Sequence, residues 1–124
     1  MTTQRNLFRS LVSRLKRRWG LGQPWSVATG PAFLLTVEKL SGHWAGFPWR
    51  TFQSADFDRD DAGDDCITIA FDFAVVKIHG LGIEPMMSAI ALLRLDKVLE
   101  TPAARVLRLV RKPRIGEIEV QHRR

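Results

Sequence analysis

Leu7, Phe8, Leu11, Val12, Leu15 and Trp19 fall within an arc of roughly 140° when the chain is wound at about 100° per residue. Residues 1–19 are therefore predicted to form an amphipathic helix. Arg5, Arg9, Lys16 and Arg17 take its opposite side, and Arg14 and Arg18 flank the apolar stripe. Gly20, Gly22 and Pro24 end the pattern and mark a connector. A second unit, residues 25–124, is expected to be a single domain.

Within that domain the period changes. Residues 32–40 are apolar and β-branched and predict a strand. Residues 41–52 mix turn formers with rings and lead toward a second strand ending near Phe57. Ile67, Ile69 and Phe71 alternate with Thr68, Ala70 and Asp72, and Val76 and Ile78 alternate with Lys77 and His79. That period of two, broken only by a short 72–74 junction, predicts a hairpin. Residues 83–95 are apolar on every side of a wheel, with Pro85 suited to a first turn. They predict a buried helix too short to cross a bilayer. A brief strand is expected at 97–100. Thr101 and Pro102 then open a second amphipathic helix, with Ala103, Val106, Leu107 and Val110 on one face and Arg105, Arg108, Arg111 and Lys112 on the other. Pro113 stops it, and residues 115–121 alternate as a last strand at an edge. The class this pattern predicts is α+β: a small, mainly antiparallel sheet packed against a buried helix, with a basic amphipathic helix at the N-terminus.

Composition narrows the setting. At 124 residues and 45% hydrophobic, the chain suits one core and is short for two. Cys66 is the sole cysteine, so no disulfide forms within the chain. No window of eighteen apolar residues is present, and Arg9 and Arg14 interrupt any signal-like stretch, so a soluble cytoplasmic protein is the expectation. Charge adds more. Six cations (Arg5, Arg9, Arg14, Lys16, Arg17, Arg18) precede the first acid, Glu38, while the other 13 Lys and Arg cancel the 13 Asp and Glu, so the net +6 lies at the front of the chain.

Several chemistries follow from these positions. The basic segment and the face Arg105, Arg108, Arg111 and Lys112 suit a polyanion such as nucleic acid; the first also suits an anionic membrane surface or a targeting presequence. An ordinary docked helix needs the same amphipathicity. Asp56, Asp58 and Asp60 have the alternate spacing of a calcium loop, yet Asp61 stands where that loop needs glycine and Ile67 where it needs glutamate. The six aspartates of 56–65 read instead as a solvated, mobile loop. His43, Cys66, His79 and His122 lack zinc-site spacing, and Cys66 with His79 is the best nucleophile–base pair, set against a buried, inert thiol. Trp44, Phe47, Trp49 and Phe52 could stack bases or grip a peptide, but such rings more often close one end of a core. No catalytic motif or cofactor fingerprint is present, and no metal or cofactor is expected.

The reading is a non-enzymatic interaction or regulatory domain whose partner is another protein or a second copy of itself. The first alternative is a nucleic-acid-binding protein using segments 5–18 and 105–114. The second is a small-ligand binder or enzyme with its site at 43–52.

Overall fold

The computed structural model describes residues 23–61, 63–101 and 113–123. Among them the chain forms eight strands, in chain order β1 (Trp25–Val27), β2 (Leu34–Glu38), β3 (Trp44–Pro48), β4 (Phe52–Arg59), β5 (Asp65–Phe71), β6 (Ala74–Leu81), β7 (Leu95–Leu99) and β8 (Arg114–His122). One short helix, α1 (Met86–Ala91), joins β6 to β7, and a 3-10 turn, Trp49–Thr51, joins β3 to β4. The strands make two four-stranded sheets, ordered β1-β7-β2-β3 and β4-β5-β6-β8. Every pairing is antiparallel except β2 with β7.

This overturns the α+β expectation. The fold is mainly β, two sheets around one core, and not a sheet packed on a helix. The apolar stretch 83–95 explains the difference. Only six of its residues are helical; Leu93 at φ +54 ends the turn, and the chain enters β7 at Leu95. Strand β7 lies between β1 and β2, and its Leu95, Val98 and Leu99 are buried. Only Leu95 of the apolar stretch belongs to β7, and the helix before it is under two turns long, too short to form a layer on a sheet. The predicted basic amphipathic N-terminal helix falls on residues 1–19, which lie outside the described ones. The predicted second amphipathic helix, 102–112, also lies outside them.

The hairpins follow from local sequence. In β5 and β6, Ile67, Ile69, Val76 and Ile78 face inward and Thr68, Lys77 and His79 outward. The β2–β3 turn closes with Lys39 N–H donating to the His43 carbonyl (2.8 Å) and Gly42 at φ +88. The β4–β5 turn repeats that geometry, with Asp60 N–H donating to the Asp64 carbonyl (2.8 Å) and Gly63 at φ +85. Both are three-residue turns ending on a left-handed glycine. The aspartate run is thus a tight hairpin. Asp56 and Asp58 lie on β4, Asp60 Oδ1 accepts the Asp64 amide (2.8 Å), and Asp65 is buried.

The two sheets share one core, with β3 at the seam. Phe47 of β3 stacks on Phe71 (centroids 5.3 Å) and Phe73 (6.1 Å), and Trp49 meets Phe52 (5.5 Å). Farther along, Ala45 shares a cleft with Val120 and His122 of β8. β3 and the turn that follows it therefore reach the second sheet at β4, β5 and β8. Polar side chains tie the layers. The Trp49 indole Nε1 donates to the Leu95 carbonyl (2.8 Å), and the buried Glu100 carboxylate accepts the Leu40 amide (3.1 Å) and the Ile118 amide (2.7 Å). Thr101 donates both its amide and its hydroxyl to the Ile115 carbonyl, each at 2.9 Å.

Candidate interaction surface

Among the described residues the two sheets have four edge strands: β1 and β3 on the first, β4 and β8 on the second. Edge strands expose unpaired N–H and C=O groups, and soluble proteins guard them with brevity, charge or cover. β1 is three residues long. β4 carries exposed Asp56, Asp58 and Arg59. β8 carries Glu117 and Glu119, its Ile118 amide is taken by Glu100, and its Ile115 carbonyl is taken by Thr101. Among the described residues β3 has no such guard. Its five residues, Trp-Ala-Gly-Phe-Pro, hold no charge.

The register of β3 fixes which groups are open. Lys39 pairs with His43, and Trp49 N–H donates to the Phe33 carbonyl (3.1 Å), so the hydrogen-bonded positions toward β2 are 43, 45 and 47. Trp44 and Gly46 turn their amides and carbonyls away from β2. Among the described residues no hydrogen bond uses them. The Trp44 ring is 68% exposed on the outer face. Beside it, Leu34 covers Gly46: a Cβ placed on that glycine would lie 3.5 Å from Leu34 Cδ1. Trp44, Gly46 and Leu34 thus form a flat apolar strip along an open backbone edge.

The other sequence-predicted residues fall elsewhere. Arg5, Arg9, Arg14, Lys16, Arg17, Arg18, Arg105, Arg108, Arg111 and Lys112 all lie outside the described residues. The described residues hold all 13 acids and 8 of the 19 Lys and Arg. Of the aromatic cluster, Phe47 (1% exposed) and Trp49 (3%) are core and Phe52 is half-buried, which leaves Trp44 at the surface. Cys66 is half-buried on the outer face of β5, directly opposite His79 on β6, and His79 Nε2 lies 3.0 Å from Glu119 Oε2. No hydrogen bond joins the thiol to the ring among the described residues. His43 and His122 line one cleft of about 190 Å³ together with Lys39, Val37, Ala45 and Val120. No group of three or more His, Cys, Asp or Glu among the described residues could hold a metal ion, and no described helix is long and apolar enough to cross a membrane.

The site that sequence reasoning missed is the β3 edge. Its signal was present as alternation, with Trp44 and Gly46 out and Ala45 and Phe47 in, but turn-forming glycines and Pro48 hid it. Among the described residues, fold and surface together define a small two-sheet β protein with one unguarded edge. Comparison with protein families, with curated proteins and with solved structures gives no match for this chain.

Proposed function

We propose that this protein is a non-enzymatic interaction module that takes an extended protein segment as an added strand on β3. The observation that carries the reading is the pair of outward-turned residues Trp44 and Gly46, four backbone groups without a partner among the described residues, on a strand that holds no charge. Main-chain pairing gives such a site its affinity, and the Trp44–Leu34 strip selects apolar side chains at alternate positions of the incoming strand. An edge demands an occupant in β conformation, since only an extended backbone presents donors and acceptors at matching intervals.

A displayed library of random peptides, panned against the full chain, tests this. The expected winners are extended sequences with alternating β-branched or aromatic residues. Their binding is lost in Gly46→Pro, which removes an outward N–H without touching the β2–β3 ladder. Binding is retained in Asp56→Asn on the opposite sheet. No enrichment, or enrichment indifferent to Gly46→Pro, overturns the reading.

A further inference from the structure

The β3 edge is complementary to itself, and we infer that the strand it takes is β3 of a second copy of this chain. This rests on the strand-addition reading above and names its partner. Two β3 strands set antiparallel about a dyad at Ala45 bring Trp44 opposite Gly46 of the other copy, and Gly46 opposite the other copy's Trp44. Both residues turn their backbone groups outward, so each of the two crossings is a hydrogen-bonded pair exchanging an N–H and a C=O in both directions.

The side chains fit the same operation. A residue opposite Trp44 must leave room for an indole lying flat on the outer face. Gly46 has no Cβ there, and Leu34 floors the space beside it with a methyl 3.5 Å from where a Cβ would stand. Large aromatics placed across from an edge glycine cover backbone that the glycine leaves exposed. The contact is made twice, as an isologous interface requires. Nothing charged lies on either β3, so the dyad brings no like charges face to face along the edge. Pro48 lacks an N–H and limits the new ladder to those two crossings. The product is one continuous eight-stranded sheet spanning both copies.

Sedimentation and light scattering of the full chain over a wide concentration range test the inference. The expected result is a mass rising from the 14.1 kDa monomer toward twice that value. Added salt strengthens the association, because it screens two chains of net charge +6. Gly46→Pro and Trp44→Lys each weaken association by about tenfold or more, with far-UV dichroism unchanged. Because Trp44 is exposed, its variant keeps the test valid should Gly46→Pro fold poorly. In a Cys66→Ser background, Ala45→Cys chains cross-link under mild oxidation, while Asp56→Cys chains do not. A chain that stays monomeric throughout overturns the inference, as does a dimer unaffected by both variants or a failed Ala45→Cys cross-link. If peptide binding sensitive to Gly46→Pro persists in a monomeric chain, self-pairing is wrong and strand addition stands; if neither is seen, both fall.

Discussion

Glu100 and Ile118 are joined across the two sheets by a 2.7 Å hydrogen bond from the Ile118 amide to a carboxylate that is only 8% exposed. The other oxygen of that carboxylate holds the Leu40 amide in the β2–β3 turn at 3.1 Å. One side chain therefore satisfies an edge donor on β8 and fixes the turn that precedes β3. A charged acceptor for two backbone N–H groups is a strong clamp, because losing it strands donors where water cannot easily replace it.

Glu100→Ala should destabilise the fold by about 2–4 kcal/mol, since a buried donor left without a partner costs roughly 1–3 kcal/mol. Glu100→Gln should cost less, because its carbonyl keeps one of the two amides while its NH2 group faces the other. Urea denaturation of the three proteins ranks them wild type, Gln, Ala.

Trp49→Phe tests the indole that links the β3–β4 corner to β7. The ring stays aromatic, but the Leu95 carbonyl loses its donor at 2.8 Å and the core loses volume against Phe52 and Phe71. About 2–4 kcal/mol is expected. Trp44→Phe, at an exposed site, should change monomer stability by less than about 0.5 kcal/mol in the same denaturation experiment.

Asp65 is 4% exposed and works as a loop cap. One oxygen meets Arg59 Nε at 3.2 Å, and the other accepts the amides of Gly82 (3.0 Å) and Ile83 (3.3 Å). Asp65→Ala leaves those two amides without an acceptor and should cost about 2–4 kcal/mol. Arg59→Ala should cost under about 1 kcal/mol, because its side chain is largely in water. Hydrogen exchange at Gly82 and Ile83 separates the two, accelerating in the Asp65 variant alone.

Gly80 stands at the β6–β8 irregularity, where a Cβ would run into the Arg114 carbonyl. That neighbour is backbone and cannot rotate away, so Gly80→Ala should cost about 2 kcal/mol or more. Gly30→Ala meets open space and should be neutral or slightly stabilising. Thermal melts of the two variants, run side by side, check the contrast.

Sequence periodicity located most of the strands. The 67–78 hairpin, the strand in 32–40, the strand reaching Phe57 and the final edge strand all stand close to where alternation put them. Two kinds of information were missing. The first concerns neighbours: residues 83–95 look like one long helix because they are mostly apolar, yet only Met86–Ala91 is helical, and the strands it packs on, β4 and β7, are set by the sheet topology and not by local pattern. The second concerns edges. Nothing local in Trp44-Ala45-Gly46 says that its backbone is left open, since that depends on which strands end up beside which. The aromatic segment was read as one cluster, and the structure divides it by parity into core rings and one exposed ring.

The two hydrogen bonds from Thr101 to the Ile115 carbonyl end on one acceptor, so a single residue just past β7 pins the start of β8 and couples the two sheets at that point. Anything that pulls residue 101 away from residue 115 must break both bonds together, which makes this junction a latch between the layers.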